Sequence, residues 1–262
     1  MPELPEVESV ARSLAPLVGR RIVNAEFTCL RVLRGDPERM AEQVAGRQVT
    51  AIRRHGKFLV LELEGVYMAV HLGMTGRLLL DASRGRHTHA VFTLDRGALL
   101  YDDSRQFGCI EVGAVLPARV ERLGPDASQV DFETFYRGLR VHRAMIKPLL
   151  LNQKFLRGLG NIYADEALFR AGVHPRTLAS RLGLVRAERL HRAILAVLWE
   201  AIEAGGSSIS DYVDAEGRKG LFQISHRVYQ KTGEPCPVCG TPIRRTLVAQ
   251  RGTHFCPRCQ RR

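Results

Sequence analysis

The chain has 262 residues, 45% of them hydrophobic, enough for two cores or for one core with a small module. No apolar run approaches the roughly 18 residues of a membrane span, and the opening MPELPEVE has neither the basic start nor the apolar stretch of a secretory signal, so a soluble, intracellular protein is expected. Lysine and arginine number 39 against 27 acidic residues, and the resulting +12 points to a polyanion, nucleic acid first; charge alone leaves open an anionic membrane surface or a merely solvated face.

At the start of the chain Val7, Val10, Leu14 and Val18 recur at helical spacing, with Pro5 in the first turn and Gly19 as a stop, and predict a short amphipathic helix. Once Met1 is removed, Pro2 carries a secondary amine, a nucleophile able to attack a sugar carbon and form an iminium. With Met1 attached the same nitrogen is an amide, so such chemistry belongs to the processed chain. Glu3 and Glu6, three apart, fall on one side of the helix start beside that amine. The positive end of a helix favours the neutral form of an α-amino group, whose reference pKa is about 7.7 to 8.0. These residues serve equally as ordinary helix-start punctuation, and spacing alone leaves both readings standing.

From Arg21 to about Val115 the pattern turns to short β-like runs, RIVNAEFT, FLVLELE, YMAVHL, RLLL, HAVFTL and ALLYDD, separated by turn signals such as Asp95-Arg96-Gly97. Strands without intervening helices predict a sandwich or flattened barrel, with Cys29 and Cys109 as core residues. Leu123-Gly124-Pro125-Asp126 reads as a linker, and helices are expected over 132–138, 143–154, 161–172 and 185–204. Leu190, Ile194, Val197, Leu198, Ala201 and Ile202 give the last an apolar stripe, ended by Gly205-Gly206. In RGLGNIYADE, Asn161 is expected as the N-cap of a helix reached through a Gly-rich turn, which suits a phosphate or is an ordinary capped turn. Residues 207–221 are polar and Gly-containing and predict a mobile loop.

Cys236, Cys239, Cys256 and Cys259 stand as C-x2-C-x16-C-x2-C, two knuckles whose thiolates can converge on one Zn²⁺ around an intervening hairpin. Two disulfides or two redox pairs are the alternatives, weakened by the expected compartment and by the lack of a thioredoxin-like pattern around either pair. Four thiolates close the coordination shell, so the zinc is expected to be structural.

MPELPEVE at the N-terminus, HLGMTGR at 71–77, DDSRQFG at 102–108, RGLGNIYADE at 157–166 and AQRGTHFCPRCQ at 249–260 together resemble the formamidopyrimidine-DNA glycosylase family, in the family's order and over essentially the whole chain. The resemblance implies an α+β multidomain fold: an N-terminal helix with a β-sandwich over 1–126, a helix-two-turn-helix domain over 127–225 with a lesion-capping loop at about 207–221, and a four-cysteine zinc finger over 226–262. It implies a bifunctional glycosylase and AP lyase of base excision repair, acting as a monomer in the cytoplasm on double-stranded DNA that carries oxidised purines, bound in a cleft between domains.

Under this resemblance Pro2 matches the nucleophile, Glu3 the acid/base that assists ring opening, and Glu6 a supporting carboxylate. Lys57 matches the lysine of phosphate contact and β-elimination, and Arg251 the finger arginine that grips phosphates and assists δ-elimination. Met74, Arg105 and Phe107 match the side chains that fill the gap left by a flipped base. Without the resemblance Met74 and Phe107 read as core and Lys57 as a surface lysine. His89, Lys147 and Asn161 match DNA-contacting positions, and Arg143 adds to that basic face. Gln106 stands where a second arginine is common, and Lys219 and Leu221 where proline and an aromatic are frequent. The leucine of PELPEVE and the DDSRQFG wedge favour purines. An endonuclease VIII-like enzyme for oxidised pyrimidines and a non-enzymatic zinc-finger binder of damaged DNA are the competing readings.

Overall fold

Helix α1 (Leu4–Ser13) forms where proline sits in its first turn and valines at positions 7 and 10 face inward. A 3₁₀ turn (Ala15–Leu17) follows, and Gly19 takes a left-handed φ of +91° that ends the helical path. The computed structural model describes residues 2–209 and 212–261; Met1, whose removal the Pro2 chemistry requires, and Ser210 and Asp211 of the 207–221 segment lie outside them, as does Arg262. The chain divides into two units, Met1–Arg122 with Ala204–Leu221, and Leu123–Glu203 with Phe222–Arg262.

In the first unit eight strands form two four-stranded antiparallel sheets. One has the order β1 (Ile22–Phe27), β6 (Thr88–Leu94), β7 (Ala98–Asp103), β5 (Gly76–Leu80); the other runs β2 (Val49–His55), β3 (Phe58–Leu63), β4 (Val66–His71), β8 (Cys109–Gly113). Period-two alternation sorts the side chains. Leu59, Leu61 and Leu63 of β3 join Met68 and Val70 of β4, Phe92, Leu99 and Tyr101 of the other sheet, Val7 and Val10 of α1, and Leu14 just after it in one core. Val60 and Ala69 face the opposite way, under Val120 of the short helix α3 (Ala118–Glu121).

Helix α2 (Pro37–Val44) interrupts the stretch expected to be all strand. Its signals are local: Asp36 accepts the Arg39 N–H at 2.9 Å as N-cap, proline occupies the first turn, and Met40 and Val44, four apart, are buried. Within the 207–221 segment, Tyr212 and Ala215 are buried in the core of this unit, and the Ala215 carbonyl accepts the N–H of Leu80 on β5.

The second unit holds α4 (Phe132–Val141), α5 (Ile146–Leu151), α6 (Asn161–Arg170), α7 (Leu184–Glu203) and a hairpin, β9 (Arg244–Val248) and β10 (Arg251–Phe255). α5 is shorter than the expected 143–154. Proline is tolerated only in a first turn, so Pro148 prevents an earlier start, and Met145 is instead extended in a bridge to Leu178. α6 buries eight of its ten residues, Ile162 to Phe169. Its N-cap is Gly160 rather than Asn161, which is the first helical residue and sends its side chain to another backbone. No helix among the described residues is long and apolar enough to cross a membrane.

Candidate active site and nucleic-acid interface

At the start of α1 the two glutamates cap the helix reciprocally. The Glu3 side chain accepts an N–H of the first turn, and Glu6 Oε2 accepts the Glu3 N–H at 2.8 Å, so two orphan donors are satisfied. Pro2 thereby sits just before the positive end of the helix, buried, with Glu3 and Glu6 buried beside it. The second oxygen of Glu6 accepts the Ser207 N–H at 2.7 Å, and the Tyr212 hydroxyl donates to the Glu6 carbonyl at 3.1 Å. Burial, then the Glu6 charge, pushes the Tyr212 hydroxyl far above its ordinary range, so it remains a donor.

Lys57 lies in the two-residue Gly56-Lys57 turn joining β2 to β3, one position ahead of β3. Gly56 is left-handed, φ +61°, as such hairpin turns require. Arg54 fastens this turn to α1, donating to Glu8 at 2.9 Å and to the Gly56 carbonyl at 3.3 Å. His71 pairs across the ladder with Phe58, and its Nδ1 accepts the Gly73 N–H at 3.1 Å. Burial, helped by the charges of Lys57 and Arg119, pulls its pKa down to about 4, so the ring is neutral with its proton on Nε2. Sequence reasoning passed over His71, although it opens the HLGMTGR motif.

The segments carrying Met74 and Phe107 meet at two glycines. A Cβ on Gly73 would lie 2.4 Å from the Gly108 nitrogen, and one on Gly108 would lie 2.0 Å from the Tyr101 hydroxyl oxygen. Met74 is 38% and Phe107 58% exposed, which excludes the core reading for both. The Arg105 guanidinium lies over the Phe107 ring, 4.8 Å from its centroid, so apolar and cationic groups project together from this rim. Gln106 between them is held at φ +56°, an unusual conformation for a residue with a Cβ. His89, expected at the DNA surface, is buried, and its Nε2 donates to the Asp103 carbonyl at 2.9 Å.

In the second unit Arg251 is exposed at the head of β10, after a tight turn in which Ala249 and Gln250 both have positive φ. The hairpin backbone is gripped from beneath. Lys147, fully buried, donates to Asp165 at 2.6 Å, to Thr253 Oγ1 at 2.8 Å and to the Gly252 carbonyl at 3.0 Å, and Asn161 Nδ2 reaches the same carbonyl at 3.0 Å. Asp165 also accepts the His254 N–H at 2.8 Å. Expected among the DNA contacts, Lys147 has no exposed surface; it acts on the hairpin that presents Arg251. Arg143 is exposed.

The sulfurs of the four finger cysteines all lie within 4.8 Å of one another. Sulfurs on a tetrahedral zinc at about 2.3 Å stand about 3.8 Å apart. Cys236 and Cys259 are 3.8 Å apart and Cys239 and Cys256 3.5 Å, each pair drawn from both knuckles, so the donor set fits one Zn²⁺ and is too wide for disulfides.

Residues 1–110 match the formamidopyrimidine-DNA glycosylase N-terminal domain, 123–213 that enzyme's H2TH domain, and 233–262 the zinc finger found in FPG and IleRS. The formamidopyrimidine-DNA glycosylase of Solibacter usitatus is 64% identical over the full length of both chains, and that of Bacillus subtilis 42% identical over 99% of each. The crystal structure of MutM (Fpg) from Thermus thermophilus superposes with a TM-score of 0.90 at 42% identity, covering 99% of this chain and 98% of that one. A complex of Lactococcus lactis Fpg with DNA containing an abasic site gives 0.92 at 39%, covering 99% and 100%. The chain belongs to the formamidopyrimidine-DNA glycosylase family.

Proposed function

We propose that the chain is a bifunctional glycosylase and AP lyase that removes oxidised purines from double-stranded DNA through the amine of Pro2, acting as a monomer in the cytoplasm. The observation that carries this reading is the reciprocal capping of Glu3 and Glu6, two buried carboxylates, at the start of α1 immediately after Pro2. The positive helix end by itself disfavours a charged amine, and the neutral amine carries the nucleophilic lone pair.

The lone pair attacks the anomeric carbon, the bond to the damaged base breaks with its electron pair leaving on the base, and the proton lost by the alkylated amine is taken up by the departing base. As the sugar ring opens, the nitrogen lone pair forms the iminium and the ring oxygen takes a proton from Glu3. Loss of a proton from the adjacent carbon expels the 3′ phosphate, and a second loss further along expels the 5′ phosphate. Lys57 serves the first elimination and Arg251 the second, each as a phosphate-directed cation. Met74, Arg105 and Phe107 fill the gap left by the flipped nucleotide. Asn161 and Arg143 join the phosphate-facing surface, and Lys147 and His89 hold the backbone behind it. One Zn²⁺ on Cys236, Cys239, Cys256 and Cys259 supplies folding energy to the finger.

The test is borohydride reduction during turnover of duplexes carrying 8-oxoguanine or thymine glycol. A covalent protein–DNA adduct is expected, faster on the purine, abolished or sharply reduced in Pro2→Gly, and absent when Met1 is retained. Trapping faster on thymine glycol would move the chain to the pyrimidine reading. No adduct on either substrate would leave only a binder of damaged DNA.

A further inference from the structure

Asp103, the last residue of β7, is fully buried, and its carboxylate accepts from two other segments and from Tyr101 of its own strand. Oδ1 takes the Thr75 hydroxyl and, at 3.2 Å, the Arg105 N–H; Oδ2 takes the Gly108 N–H at 2.8 Å and the Tyr101 hydroxyl at 3.3 Å. Thr75 Oγ1 also accepts the Arg105 N–H at 3.2 Å, which closes a small ring around the carboxylate. The Asp103 backbone binds too, its carbonyl accepting from His89 and from the Gln106 N–H at 3.3 Å. Apart from Tyr101, the side-chain and backbone donors to this carboxylate belong to the segment with Met74 and to the segment with Arg105 and Phe107, and those three side chains are exposed, with the Arg105 guanidinium over the Phe107 ring.

Two segments that must present three exposed side chains in one geometry share a single buried anion. We propose that Asp103 is the positioning residue of the gap-filling rim, fixing both segments so that Met74, Arg105 and Phe107 enter a duplex as one unit. This rests on the functional reading above. Tyr101 keeps its proton, because burial and then the Asp103 charge push its hydroxyl far above the ordinary range, and so the ring of donors stays intact across the working pH. In Asp103→Asn one oxygen becomes an amide that faces donors with donors. Thr75→Val removes one arm and leaves the carboxylate, a milder change.

The experiment compares two substrates. Excision of 8-oxoguanine from a duplex requires the rim; elimination at a preformed abasic site in single-stranded DNA leaves no gap to fill. Asp103→Asn is expected to lower duplex excision by about 100-fold and Thr75→Val by about tenfold, with single-strand elimination held within about twofold of wild type for both. A fluorescent 2-aminopurine beside the lesion should lose the rapid phase that reports unstacking. Equal losses on both substrates would reduce Asp103 to a general scaffold, and unchanged duplex excision in both variants would remove its role; either overturns the proposal. Wild-type protein inactive on the abasic strand would instead overturn the functional reading and this inference with it.

Discussion

The Glu6 carboxylate spans two backbone nitrogens that are 204 positions apart in sequence, accepting from Glu3 at 2.8 Å and from Ser207 at 2.7 Å. One side chain therefore ties the residue after Pro2 to the root of the 207–221 segment. In Glu6→Gln one oxygen becomes an amide facing an N–H, so either the cap or the Ser207 contact is lost, and trapping by borohydride should fall by about tenfold or more. Gly206→Ala attacks the same point from the other side. Its φ of +85° disfavours alanine, and a Cβ would stand 2.9 Å from Glu6 Oε1 and 3.2 Å from its Cα, so a stability loss of about 1–3 kcal/mol is expected, read by urea denaturation. An alanine variant as stable and as readily trapped as wild type would refute the coupling.

Zinc removal should act on the finger alone at first. Its own apolar cluster comprises Phe169, Val228, Cys236, Ile243 and Cys256, too little to hold a hairpin without the metal. Chelation confirmed by zinc release should melt β9 and β10, withdraw Arg251 and weaken duplex binding by about tenfold or more, with a shallower salt dependence. Unchanged binding after complete release would count against it.

Much of this was legible in the residues and some was not, for physical reasons. The valine spacing of α1, the alternating runs of β3 and β4 and the stripe of α7 carry their own periodicity, and the finger announces itself by cysteine spacing. Helix α2 was hidden because eight residues between strands offer barely two turns of pattern, although the Asp36-Pro37 cap was present. Asp103 was invisible for a different reason. Its significance comes from Thr75, brought alongside by the β5–β7 pairing of Gly76 with Asp103, and no local window contains both. The surroundings of Lys147 were hidden likewise: the resemblance alone matched it to a DNA-contacting position, and its partners Asp165 and Thr253 lie 18 and 106 positions away.

His71 makes stability pH-dependent in a defined direction. Its folded pKa of about 4 lies below the unfolded value of 6.5, so between these values the unfolded chain binds the proton and the folded chain does not. Its contribution is complete above pH 6.5 and is lost as pH falls towards 4. The loss amounts to at most about 3 kcal/mol, at roughly 1.36 kcal/mol per pKa unit. His71→Asn keeps an acceptor for the Gly73 N–H and removes the titration. The stability gap between wild type and variant, measured by denaturation at about pH 7, 5.5 and 4.5, should therefore shift steadily in favour of the variant. A gap that is constant with pH would contradict the assignment.

The buried Lys147–Asp165 pair, with neither side chain exposed, offers the sharpest separation of stability from chemistry. Lys147→Met leaves a buried carboxylate without its cation and should cost about 3–5 kcal/mol. Asp165→Asn in the same chain removes that charge while retaining an acceptor for the His254 N–H, so the double variant should recover much of the loss. The Gly252 carbonyl, however, still lacks the Lys147 ammonium in both variants, and it adjoins Arg251. The double variant should then fold nearly as well as wild type yet accumulate the β-elimination product at the expense of the δ-product, resolved on a sequencing gel. Recovery of both stability and product ratio would mean that the pair is structural only; recovery of stability alone assigns Lys147 the orientation of the hairpin.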